Sequence, residues 1–213
     1  MSLKPIVTDL EMSGLDPVKN GIWQIGAVDL NTMEEFLEES RIDDEDSVEE
    51  EALKVIGKTE EELRSPEKQS QKEMIEKFMK WVEKKQLRNL LCQNPQSDIG
   101  FLNEKIKKYG LKRTFHHRAF DTHTIAQVIY NKINGKFLTE GNHSMMSLPS
   151  ILEFCGLEDP RVLIVDGEVV KEGTPHNALE DSKLTAECFS RLMFGKSLFP
   201  EFAENKVPEY LIK

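Results

Sequence analysis

Apolar side chains cluster in short strand-length blocks at the start of the chain and recur at helical spacing further on. Residues 5–11 (PIVTDLE) and 22–30 (IWQIGAVDL) are rich in β-branched and aliphatic residues, and Asn31 with Thr32 breaks the pattern before a third block at 33–41. Short connections between three such blocks predict an antiparallel start. Helices are then predicted near 48–56, 59–63 and 70–84, the last with Met74, Phe78, Trp81 and Val82 on one core-facing stripe. Leu90, Leu91 and Cys92 form a short buried strand. A helix from about Ser97 ends at the Gly110 cap position, Asp121 opens another, Ser147 opens one ending at Gly156, and Thr174 with Pro175 marks the start of the last.

Strands that first follow one another and then alternate with helices predict an α/β fold with a mixed sheet covered by helices. No repeat or linker divides the chain, so residues 1–213 read as one domain. Two segments stand apart from this scheme. VLIVDGEVV reads as a hairpin turning at Asp166 and Gly167, an addition near 161–171 that stabilises the fold, gates substrate or pairs with a partner. LTEGNHSMM is either a substrate-facing loop or a variable insertion.

A content of 38% hydrophobic and 31% charged residues is that of a soluble globular protein. No window approaches the roughly 18 uncharged apolar residues of a membrane span, which argues against a membrane partner. The N-terminus runs into a strand without a leader, although Met1, Ser2 and Leu3 fit an expression scar. Cys92, Cys155 and Cys188 are far apart and form no CxxC, which suits reduced core thiols in a cytoplasmic protein.

A net charge of −10 ordinarily argues against a nucleic-acid partner. Here much of it lies in one run, Asp43 to Asp46 with Glu49 to Glu51, expected to be a solvated loop. Lys105, Lys107, Lys108, Lys112, Arg113 and Arg118 meanwhile lie close together. A protein that grips only a strand end needs no extended basic face.

The chemistry concentrates in four carboxylates and a histidine. Asp9 and Glu11 lie two apart in an apolar strand, so both project from one face, where like charges repel unless a cation sits between them. Gly14 and the Asp16–Pro17 step predict a tight turn just beyond, where backbone approaches a ligand closely. Asp98 follows a buried strand, a place where functional groups gather in α/β sheets, although a first-turn acid is also ordinary helix chemistry. Asn94, four residues earlier, caps or orients that loop. Asp181 shares a helical stripe with Leu184, Cys188 and Leu192 and therefore faces inward. His176, five residues before it, would be rotated roughly 140° away on a continuous helix. That makes it a poor partner ligand and places it on the lip of the site, where an imidazole suits a general base.

Taken together, VTDLEMSGLDP, NPQSD and HNALED resemble the DEDDh 3′–5′ exonucleases of the DnaQ-like, ribonuclease H-like superfamily, in the family's order and spacing. The resemblance continues through ALKVIGKTEEEL, FDTHTIAQVI and SLPSILEFCGLE. It implies a central five-stranded sheet, antiparallel in its first three strands and then parallel. It also implies that Asp9, Glu11 and Asp181 hold one divalent ion, Mg2+ or Mn2+, that Asp9 bridges to a second, and that Asp98 stands close by. His176 would take a proton from the attacking water, releasing nucleoside 5′-monophosphates from the 3′ end of single-stranded DNA or RNA or from short oligonucleotides. The Met12, Ser13, Gly14 and Leu15 turn and Asn94 would bind the terminal nucleotide. Ser97 departs from the aromatic common before the third acid, which alters contacts to the terminal base. A second copy of the chain or a polymerase are the candidate protein partners. The alternative reading is a non-catalytic module of the same fold that binds nucleic-acid ends or docks on a polymerase.

Overall fold

The computed structural model describes residues 4–165 and 168–212. Met1, Ser2 and Leu3, and the Asp166 and Gly167 turn of the expected hairpin, lie outside the described residues. Five strands form the main sheet: β1 (Ile6–Met12), β2 (Ile22–Asp29), β3 (Glu34–Glu39), β4 (Leu90–Cys92) and β5 (Phe120–Asp121). Their spatial order is β3-β2-β1-β4-β5. β1 pairs antiparallel with β2, which pairs antiparallel with β3, while β1–β4 and β4–β5 are parallel. The mixed five-stranded sheet is the one the pattern and the resemblance predict.

Seven α-helices are described: α1 (Glu50–Ile56), α2 (Glu60–Leu63), α3 (Gln71–Glu83), α4 (Pro95–Tyr109), α5 (Thr122–Asn134), α6 (Leu148–Phe154) and α7 (Ala178–Phe194). Alternation along β1 sorts its side chains between two cores. Ile6 and Leu10 pack with Met74, Phe78 and Val82 of α3 and Phe101 and Leu102 of α4. Val7, on the other face, packs with Leu179, Ala186 and Phe189 of α7. The same parity puts Asp9 and Glu11 on the α7 side of the sheet.

Gly26 makes the approach of α7 possible. It is paired with Asp9 in the β1–β2 ladder, and a Cβ there would lie 2.1 Å from the Ala178 carbonyl carbon and 2.2 Å from the Leu179 nitrogen. Gln24 Oε1 accepts a hydrogen bond from the Ala178 N–H at 2.7 Å, and Ser182 Oγ donates to the Gly26 carbonyl at 3.0 Å. The first turn of α7 is therefore seated on β2 beside Asp9.

Several boundaries shift by one or two residues from expectation, such as β3 at 34–39 instead of 33–41 and α1 from 50 instead of 48, and three more helix boundaries are informative. α4 begins at Pro95, not Ser97, because Asn94 takes a left-handed conformation (φ 65°) and Pro95 fits the first helical position. α6 ends at Phe154, short of Gly156. α7 begins at Ala178 instead of near Thr174, because the Asn177 side chain caps the Leu179 and Glu180 N–H groups, while the His176 N–H is held by the Val55 carbonyl at 3.1 Å.

The acidic run is not simply solvated. Asp46 is buried and accepts from Lys105 Nζ and Gln71 Nε2, each at 2.7 Å. Burial alone would raise its carboxyl, but those bonds outweigh it and hold Asp46 below the usual carboxylate range. Lys108 pairs with Asp43 at 2.5 Å and Glu45 at 2.9 Å. Part of the expected basic cluster is thus spent neutralising the acidic loop.

Two small hairpins complete the fold, β6 (Thr139–Glu140) with β7 (His143–Ser144) and β8 (Leu163–Val165) with β9 (Glu168–Lys171). The second is closed at its base by Val162 N–H to Thr174 carbonyl and Thr174 N–H to Pro160 carbonyl, both 2.9 Å. Cys92, Cys155 and Cys188 are buried free thiols. Among the described residues, no helix is long and apolar enough to cross a membrane.

Candidate active site

Four of the five expected groups line one cavity of about 340 Å³: Asp9 and Glu11 from β1, His176 from the segment before α7, and Asp181 from its first turn. Ligand atoms of Glu11, His176 and Asp181 lie within 4.8 Å of one another. His176 Nδ1 stands 3.3 Å from Asp181 Oδ2. The expected 140° separation fails because His176 precedes the helix, so the helical repeat does not set its direction. The structure brings the imidazole into the acid cluster instead of leaving it at the lip.

Asp98 is close to the cluster but not in its wall. It is buried in the first turn of α4, does not line the cavity, and its charge acts on Asp9. Burial pushes its carboxyl up to about 7 against the lowering effect of nearby backbone N–H groups, its own and that of Leu10. Burial, then Asp181, Asp98 and Glu11, raises Asp9 well above the usual range; Glu11 is raised by burial and Asp181. Four carboxylates are thus held where their own charges oppose one another.

The donor set fits a divalent metal. Glu11 Oε1 and Asp181 Oδ1 are buried atoms without a hydrogen-bond partner, which costs free energy unless a cation accepts them. Carboxylate oxygens with at most one imidazole match Mg2+ or Mn2+ better than a thiol-seeking ion.

His176 has a defined orientation. Its Nε2 is 3.2 Å from the Val162 carbonyl, an acceptor only, so Nε2–H donates and Nδ1 is the nitrogen turned toward the acids. A further group was not foreseen. Arg161 is buried in the same cavity, with Nη1 2.9 Å from Asp181 Oδ2 and Nε and Nη2 each 2.9 Å from the two Asp159 oxygens. Its one mark in the sequence is an arginine placed at the entrance to the apolar run VLIV.

An adjoining cavity of about 270 Å³ shares Leu10 and Glu11 and is lined by Met12, Gly14 and Leu15 together with Glu49, Ala52, Val55 and Ile56 of the α1 region. Leu15 is 82% exposed at its edge, and its N–H donates to Glu49 Oε1 at 3.1 Å. Ser13 does not join this wall. It is fully buried, donating to the Ser47 carbonyl and accepting from the Gly21 N–H. Asn94 makes no side-chain cap bond; its backbone N–H points to Asp121 Oδ1 at 3.4 Å, so it shapes the loop between β4 and α4.

The central strand of the mixed sheet thus carries two acids, and a third acid and a histidine at the start of α7 share their cavity. The RNase T exonuclease family model matches residues 6–189, and the chain belongs to that family. No curated protein matches it by sequence. Among solved structures, the nuclease domain of 3′hExo, a DEDDh family member bound to rAMP, superposes with a TM-score of 0.62 at 18% identity over 96% of each chain. Exonuclease I of E. coli in complex with a dT13 oligonucleotide gives 0.66 at 13% identity over 89% of this chain and 41% of that one. The cell-death related nuclease CRN-4 gives 0.64 at 13% identity over 89% and 63%. The chain therefore spans less than half of exonuclease I.

Proposed function

We propose that the chain is a metal-dependent 3′–5′ exonuclease that releases nucleoside 5′-monophosphates from single-stranded DNA or RNA. The observation that carries this reading is the convergence of Asp9, Glu11, His176 and Asp181 on one cavity, with two buried carboxylate oxygens left unpaired. Asp9, Glu11 and Asp181 would hold the metal, with Asp9 shared by a second ion and Asp98 close by. Bound metal supplies charge stabilisation at the attacking and leaving oxygens of the phosphodiester.

The chain's own groups account for the rest. His176, its Nε2–H held by Val162, takes a proton at Nδ1 from the attacking water. Met12, Gly14 and Leu15 receive the terminal nucleoside in the adjoining cavity, with the exposed Leu15 side chain against the base. Ser13 sets the turn's shape from below. Lys105 and Lys108 are engaged by the acidic loop, which favours a short grip on a strand end over a duplex track. The neighbours' ligands, rAMP and dT13, are consistent with either nucleic acid.

Polarity is the test. With Mg2+ or Mn2+, 3′-labelled single strands should lose label at once as mononucleotide, while 5′-labelled strands shorten stepwise. Cleavage of circular single strands, or shortening from the 5′ end, would overturn the reading.

A further inference from the structure

Arg161 places a permanent positive charge inside the acid cluster. A guanidinium stays protonated at any working pH, and this one is almost fully buried. It contacts Asp181 at Oδ2, the oxygen that also faces His176 Nδ1. Asp159 grips the other edge of the guanidinium with both oxygens, so the arginine is aimed and not merely nearby.

The frame around it is tight. Backbone hydrogen bonds on either side of Arg161 tie Val162 and Pro160 to Thr174, and a Cβ on Gly173 would fall 2.4 Å from the Arg161 carbonyl carbon. The β8–β9 hairpin thus delivers three things to one place: the Arg161 guanidinium, the Val162 carbonyl that orients His176, and the segment leading into α7.

We propose that Arg161 is the site's internal counter-cation: it holds Asp181 by Oδ2 in the metal-free protein and opposes the binding of a divalent ion at the unpaired Oδ1. This rests on the metal-dependent reading above. Two arguments support it. A buried aspartate among like charges needs a cation, and Arg161 is the one in contact with it among the described residues. A divalent ion seated among Asp9, Glu11 and Asp181 would lie a few ångströms from the guanidinium, where repulsion between cations in a partly dry cavity is strong. With Oδ2 on the arginine and Oδ1 open to the metal, the single negative charge of Asp181 is shared between two cations that repel each other. Contact with arginine and binding of metal are therefore negatively coupled, and Asp159 keeps the arginine in place whichever cation Asp181 favours.

Mn2+ binding to the whole protein, followed by the electron paramagnetic resonance of free Mn2+, tests this without reference to activity. Coupling energies between sites commonly correspond to about 5- to 150-fold. Arg161→Gln should accordingly bind Mn2+ at least about fivefold more tightly than wild type. Its melting temperature in EDTA should fall below wild type, and saturating Mn2+ should close that gap. Arg161→Lys keeps a charge that folding can use but cannot bridge Asp159 and Asp181 together, and should fall between the two. Should the glutamine variant not fold, the lysine variant alone decides.

A structural role for Arg161 predicts the opposite sign, since loosening Asp181 would weaken metal binding. Mn2+ affinity of either variant equal to or weaker than wild type overturns the proposal. The controls keep the two readings apart: wild type that binds Mn2+ alongside an unimproved variant sinks the counter-cation alone. Absence of binding in wild type and both variants removes the metal reading together with it.

Discussion

His176 shows how one residue's role depends on where a helix begins. On a continuous helix from Thr174 it would turn away from Asp181; because Asn177 caps the helix three residues later, its Nδ1 comes within 3.3 Å of Asp181. That geometry brings metal ligation within reach and makes the kinetic test sharper. As a general base, His176→Ala should lower turnover by about 10²- to 10⁴-fold with substrate binding little changed. The deficit should shrink in alkaline buffer as hydroxide replaces the assisted water. Rates measured across pH and across metal concentration separate the roles, and recovery with excess metal alone would make His176 a ligand.

Asp98 and Arg161 mark the limits of reading single residues from sequence. Asp98 is legible as an acid beyond a buried strand, but its burial outside the cavity wall depends on how α4 packs on the sheet. Arg161 lies 20 positions before Asp181, beyond any local period, so only folding shows that they meet. Ser13 illustrates the reverse: its position in the turn suggests substrate contact, yet both hydrogen bonds of its side chain are internal.

At the scale of elements, the strands and most helices were legible because period and capping are local. Ser147 caps α6 where the sequence opens a helix, and the helix expected near 70–84 starts at a reciprocal cap between Ser70 and Glu73. What pattern does not carry is the seating of one element on another. The acidic loop reads as solvated from composition, yet Asp46 is drawn inside because Lys105 and Gln71 wait there from α4 and α3. Likewise, nothing local marks Gly26 as the floor beneath α7. Gly26→Ala should push the first turn of α7 off β2, because the new methyl would meet backbone and not a movable side chain. Overpacking of this kind typically costs about 1–3 kcal/mol, occasionally more. Since α7 carries Asp181, metal affinity should fall along with the melting temperature. A variant with lowered stability but unchanged Mn2+ affinity would show that the seating of α7 does not set the site.

For the molecule as a whole, stability and function pull in opposite directions at the acid cluster. Asp9, Glu11 and Asp98 all have folded-state carboxyls raised above their ordinary values, Asp98 to about 7. For groups raised in this way the folded state holds its protons longer than the unfolded chain. Stability of the metal-free protein therefore falls as pH rises from the usual carboxylate range toward about 7, and stays low above it. A cation that binds only the folded state reverses the loss by mass action.

Thermal unfolding of wild type and Asp9→Asn, in EDTA and in saturating Mg2+, at pH 5 and pH 8, tests the central claim that this cluster is built for metal. In EDTA at pH 8, Asp9→Asn should melt above wild type, by roughly 2–4 °C for each kcal/mol of repulsion relieved. At pH 5 that difference should narrow, and Mg2+ should raise the wild type far more than the variant. A wild type that is the more stable protein in EDTA at pH 8, or an equal Mg2+ shift in both, would contradict the account.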